Sequence, residues 1–169
     1  ISPGLIDLRA RLREPGQKHK GTIFSESRAA AAGGITMVSI PPDTKPIIDS
    51  TAVVELIRQK AEQAGFVEVA PLGALTKGLE GEQLSTMGAL KSAGCRAVSN
   101  AQNPIHNTQV LRRAFEYANT HDLTVFIHPQ DYWLKDGGCA HEGAISTRLG
   151  LPGIPDAAET AGVARDLVL

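Results

Sequence analysis

Ile35-Thr36-Met37-Val38-Ser39-Ile40 is a β-branched run that stops on Pro41-Pro42. Residues Thr51 to Ala64 follow, with Val53, Ile57, Ala61 and Ala64 on one helical face and Gly65 closing the segment. Phe66-Val67-Glu68-Val69-Ala70 is the next apolar run. Strand, helix and strand in this order imply a crossover between parallel strands. The same alternation extends both ways along the chain. Upstream lie a brief strand, Leu5-Ile6-Asp7-Leu8, and a helix from about Ser25 to Ala32, stopped by Gly33-Gly34. Downstream, a helix over Gln83 to Ala93 ends at Gly94, and Cys95-Arg96-Ala97-Val98-Ser99 reads as the fourth strand. Asn107 caps a helix to about His121, with Val110, Leu111, Ala114, Phe115 and Ala118 facing inward. Leu123-Thr124-Val125-Phe126-Ile127 is the fifth strand. A long Gly-rich loop is predicted up to Pro155, and Asp156-Ala157-Ala158-Glu159 reads as a capping box opening the last helix.

Five strand–helix units in sequence predict an α/β fold with a parallel sheet. A doubly wound open sheet and the N-terminal part of a (β/α)8 barrel both fit. A complete barrel takes ~250 residues, so a chain of 169 residues does not close one by itself.

The composition narrows the function classes. A net charge of −1 argues against a nucleic-acid or acidic-membrane surface, which needs a basic excess. No apolar run approaches the ~20 residues that span a bilayer. The opening Ile1-Ser2-Pro3-Gly4 is neither a start methionine nor a signal peptide, so a fragment or processed product is expected. Cys95 and Cys139 are too few for a disulfide framework or a cysteine zinc site, and a reducing, cytoplasmic setting is expected.

In a barrel, chemistry sits where strands end. Those loops are Arg9-Ala10-Arg11-Leu12-Arg13-Glu14-Pro15-Gly16, Pro42-Asp43-Thr44-Lys45-Pro46, Asn100-Ala101-Gln102-Asn103 and His128-Pro129-Gln130-Asp131. Pro3-Gly4-Leu5-Ile6-Asp7-Leu8 with Leu12-Arg13-Glu14-Pro15-Gly16 resembles the opening of a dihydroorotase, a family of the amidohydrolase superfamily. The stretch from His141-Glu142-Gly143 through Leu149-Gly150-Leu151-Pro152-Gly153-Ile154-Pro155 resembles a second signature of that family. The resemblance implies one partial barrel domain over residues 1–169, with a flanking β domain before it and three more barrel units after it.

The departures from the family pattern concern the metal. The resemblance implies a His-x-His pair after the first strand, where this chain has Arg9 and Arg11. It implies an acidic ligand after the fourth strand, where Ala101 stands beside Asn100. Of the family's ligands in this half, only the histidine after the fifth strand remains, as His128. Imidazole and carboxylate donate electron pairs to zinc, whereas guanidinium stays protonated and has none to offer. The family would use zinc; with these residues no metal cofactor is expected. On the substrate side, Arg13 matches the arginine that the resemblance pairs with the substrate carboxylate. Asp43 replaces an asparagine and would repel an anionic dihydroorotate.

Three readings of the arginines stand side by side. Arg9 and Arg11 pair with carboxylates such as Asp43 and Asp131; Arg9, Arg11 and Arg13 form a small-anion site; or a metal is held in some different way. His128 is expected to be a hydrogen-bonded remnant, His141 to structure its loop, and Lys18, His19 and Lys20 to be solvated. Gly137-Gly138 lacks the strand and helix that frame a phosphate loop.

The resemblance to inactive dihydroorotase-like subunits that accompany some bacterial aspartate carbamoyltransferases implies a structural role. The protein would then be a pseudoenzyme that helps assemble the carbamoyltransferase. An active metal-dependent dihydroorotase and a small-anion binding module are the alternatives. Open strand edges further predict a homo-oligomer, or association with the remainder of its own chain.

Overall fold

The computed structural model describes residues 1–169, which form two compact units, Ile1–Phe126 and Ile127–Leu169. In the first unit the chain runs β1 (Leu5–Asp7), α1 (Ile23–Ala32), β2 (Ile35–Ile40), α2 (Thr51–Ala64), β3 (Glu68–Pro71) and β4 (Gly73–Ala74). A 3₁₀ turn (Lys77–Leu79), α3 (Met87–Ala93), β5 (Ala97–Ser99), α4 (Thr108–Thr120) and β6 (Thr124–Phe126) complete it.

The strand order separates the two candidate folds. β1, β2 and β3 pair in parallel in chain order, as do β4, β5 and β6. β3 and β4 are separated only by Leu72, whose N–H donates to the Ile40 carbonyl at 2.9 Å. Residues 68–74 therefore act as one strand that leans first on β2 and then on β5. The order never reverses, as it would in a doubly wound sheet; it advances strand by strand as in a (β/α)8 barrel. β1 and β6 do not pair with each other, so the barrel is not closed within this chain. Leu5 and Ile6 of β1 point to opposite faces and are both exposed.

Local chemistry explains the elements. Thr22 caps α1: its hydroxyl accepts from the Ser25 N–H, and the Ser25 hydroxyl accepts from the Thr22 N–H, each at 3.0 Å. Val53, Val54 and Ile57 of α2 are buried in a cluster with Ile23, Val38, Ile40 and Val69. Gly65 stops α2 at φ 69°, where a side chain would be strained. Asn107 caps α4, accepting from the Gln109 and Val110 N–H groups. Leu111, Ala114 and Ala118 of that helix bury against Val98, Met87 and Leu123. α3 is shorter than the sequence predicts, because residues 83–86 instead run beside the chain at Thr76, which bridges to Leu84.

The second unit corrects the sequence reading. The predicted loop before Pro155 contains α5 (Tyr132–Lys135), β7 (Ala140–His141), α6 (Ala144–Leu149) and β8 (Gly153–Ile154). β7 and β8 pair in parallel, so the second family-like stretch folds into a small strand–helix–strand unit of its own. The last helix, α7 (Asp156–Val168), carries no capping box. Pro155 stands at its N-cap, and Asp156 is already helical, where it and Glu159 oppose the positive end of the helix dipole.

Candidate functional site

The loop after β1 bends sharply at Arg13, whose φ of 64° is left-handed. The Gln17 N–H donates to the Arg13 carbonyl at 2.7 Å and closes the turn. The loop after β2 is held to it by the Lys45 N–H, which donates to the Pro15 carbonyl at 3.3 Å. Gly16 makes this contact close: a Cβ there would lie 2.7 Å from that of Lys45. The two loops enclose a pocket of about 110 Å³, with Arg11, Arg13, Gln17, Asp43, Thr44 and Lys45 around it.

Arg11 is the side chain that settles its own role. Its Nε and Nη2 donate to the same oxygen of Asp43, at 3.1 and 2.5 Å. The pair is partly exposed, 39% for Arg11 and 26% for Asp43. The two positions where the sequence departs on the metal side and on the substrate side thus neutralise each other. Arg9 does not follow Arg11. Its side chain is exposed and forms no ion pair, and only its backbone N–H is engaged, donating to Asp7. Asp131, the other expected partner, instead caps α5 by accepting from the Trp133 and Leu134 N–H groups. A carboxylate at the N-cap of a helix satisfies free N–H donors, which explains its use there. Arg13 donates to the Gln17 side-chain oxygen at 3.3 Å.

Ala101 is buried and left-handed, with φ 53°. Its backbone N–H donates to the Ser99 hydroxyl. Its neighbour Asn100 is the anchor of that turn. Asn100 accepts from Thr76 at 2.7 Å and donates to the Asn103 carbonyl at 3.0 Å. The turn is therefore built without a carboxylate. His128 belongs to the second unit, and its exposed side chain makes no hydrogen bond, contrary to the expected remnant role. The His141 backbone pairs in β7, and its exposed Nδ1 lies 3.4 Å from Asp156 Oδ1.

Glu14, in the first family-like stretch, carries a role the sequence reading missed. It is 5% exposed, yet Lys60 of α2 lies 2.7 Å and Lys18 3.4 Å from its Oε1. Its other oxygen accepts from the Ile23 N–H at the start of α1. Burial alone would raise its pKa, but the Lys60 hydrogen bond, the Ile23 N–H, the Lys60 charge and Lys18 together hold it below the ordinary 4.5. Lys18 is thus engaged rather than merely solvated. Lys60 lies far along the chain from Glu14, so no local motif signals the contact.

At three of the expected ligand positions the side chains offer a divalent metal no electron pair. Arg9 and Arg11 are cations, one of them committed to Asp43, and Ala101 supplies no donor. No three His, Cys, Asp or Glu side chains come together as a metal site requires.

The comparisons with known proteins agree with this frame. The family model described as Dihydro-orotase-like matches residues 1–169. The chain is 55% identical over 168 residues to a dihydroorotase-like protein of Pseudomonas putida, covering 99% of this chain and 40% of that protein. It is 50% identical over 169 residues to a dihydroorotase of Solibacter usitatus, covering 100% of this chain and 39% of that protein. The L-hydantoinase (dihydropyrimidinase) of Arthrobacter aurescens shares the fold, with a TM-score of 0.73 at 19% identity over 98% of this chain and 38% of that one. The chain therefore belongs to the dihydroorotase-like family, within the amidohydrolase superfamily. It spans about two fifths of the length of these relatives.

Proposed function

We propose that the protein is a catalytically inactive dihydroorotase-like member of pyrimidine biosynthesis that serves as a structural partner in assembling aspartate carbamoyltransferase. The observation that carries the inactive part is the Arg11–Asp43 pair. A guanidinium stands where the family's metal ligand is expected, and it is neutralised by a carboxylate where the anionic substrate would be received. Without a metal there is no Lewis acid for the ring carbonyl and no acidified water. The name dihydroorotase-like protein, carried by the Pseudomonas putida relative and by a 52% identical Pseudomonas aeruginosa relative, supports a distinction from the dihydroorotases proper. The family-like stretch that carries Glu14 is anchored to Lys60, and the second such stretch folds as β7–α6–β8, which supports a structural role.

Two measurements on the full-length protein test the proposal. Metal analysis and a dihydroorotate hydrolysis assay are expected to find no stoichiometric zinc and no turnover; one zinc per chain with turnover overturns the inactive reading. Size-exclusion chromatography with the carbamoyltransferase from the same cell is expected to show one joint peak. Separate elution of the two proteins overturns the assembly role.

A further inference from the structure

We propose that the carboxylate of Asp166 is a docking point for the chain segment that follows Leu169, and that a backbone N–H of that segment donates to its Oδ2. This does not depend on the inactive reading or on the assembly role. Asp166 lies on α7, and its side chain is only 7% exposed. Arg165 satisfies one of its oxygens twice: Nε and Nη2 both donate to Oδ1, at 2.8 and 2.7 Å. Oδ2 is buried and accepts from nothing. A carboxylate oxygen in that state has given up its hydration without return, and native structures rarely leave one so.

The neighbouring segment has no donor to spare. Ala158, Gly162 and Asp166 follow at four-residue spacing and share one face of α7. Residues 129–131 lie along that face: the Asp131 N–H donates to the Ala158 carbonyl at 2.7 Å, and a Cβ at Gly162 would lie 2.4 Å from the Pro129 carbonyl oxygen. Asp166 comes one turn later. Pro129 has no N–H, the Gln130 N–H goes to the His128 carbonyl at 2.9 Å, and the Asp131 N–H is spent on Ala158. A chain continuing beyond Leu169 does pass this point, because Leu169 lies only ~4.5 Å further along the helix axis than Asp166. Leu167 and Val168 beside it are 82% and 85% exposed, an apolar surface that the same segment would cover. The relatives described above have that length in reserve, since this chain covers 40% and 39% of two of them. The donor is uncharged, because Arg165 already supplies the counter-charge of Asp166. An N–H of extended backbone meets that need.

Hydrogen exchange of the full-length protein, read by mass spectrometry of its peptides, tests this. Asp166→Asn keeps an oxygen for Arg165 and turns an N–H donor toward the proposed one. Exchange in the peptide that begins after Leu169 is expected to quicken about tenfold, as one hydrogen bond to a charged group is lost, while residues 124–131 keep their rates. Unchanged exchange after Leu169, or quickening confined to residues 1–169, overturns the proposal. Should Asp166→Asn fail to fold or quicken exchange everywhere, a crystal structure of the full-length wild type decides. A backbone N–H from beyond Leu169 within about 3.2 Å of Oδ2 supports the proposal. Any other donor there, a water or a second copy included, or none at all, overturns it.

Discussion

Two ion pairs leave the same loop three residues apart, and they do opposite work. Arg11 reaches across to Asp43 at the surface, both partners partly exposed. Glu14 turns inward, nearly enclosed, and is held by Lys60, Lys18 and the first N–H of α1. The outer pair sits where water screens charge, so its residues can change without unfolding the protein. The inner one ties the β1 loop to α1 and α2, and losing Glu14 leaves Lys60 without its carboxylate and the Ile23 N–H without its acceptor. One pair lies at the exposed tip of the loop and the other at its buried anchor.

The contrast can be broken most directly at the anchor. Glu14→Ala should destabilise the fold by about 3 kcal/mol, because Lys60 and the Ile23 N–H both lose their acceptor; equilibrium urea unfolding measures it. A loss under 1 kcal/mol would put Glu14 in the same class as the surface pair. Gly162→Ala tests a second close contact, inside the smaller unit. A Cβ at Gly162 would lie 2.4 Å from the Pro129 carbonyl, which should cost roughly 1–3 kcal/mol by overpacking.

Acid unfolding sharpens the difference between the pairs. The Glu14 carboxyl is lowered below 4.5 in the folded state. Its contribution is therefore present above that unfolded value and is lost as pH falls through the lower folded value. Glu14→Gln should flatten the stability-versus-pH curve in that window. Arg11→Ala should cost less than about 1 kcal/mol. The smallest effect concerns the thiols. Burial pushes the Cys95 thiol up to about 12, while Cys139 is exposed. At neutral pH a thiol reagent should label Cys139 rapidly and Cys95 only on unfolding, with mass spectrometry of the labelled peptides as the readout.

Much of the frame was legible in the chain. β2 and α2 match their predicted ranges because each is long enough for its period to speak, and each is bounded by a strong stop, Pro41-Pro42 and Gly65. α5, β7, α6 and β8 fall in the predicted loop because each has only two to six residues, too few for periodicity to register. One signal lies there in the sequence: Asp131 before Tyr132-Trp133-Leu134 is a helix cap, a role that competes with ion pairing for the same carboxylate.

The site divides in the same way. Residue identities alone determine that Arg9, Arg11 and Ala101 cannot ligate a metal, since protonated guanidinium and methyl groups have no electron pair to give. The order of the strands, the selection of Asp43 over Asp131 as the partner of Arg11, and the burial of Glu14 against Lys60 were decided only by the tertiary structure. Local pattern reports on neighbours along the chain. Which charge meets which across 32 residues in one pair, and across two helices in the other, depends on how the loops fold back over the strand ends.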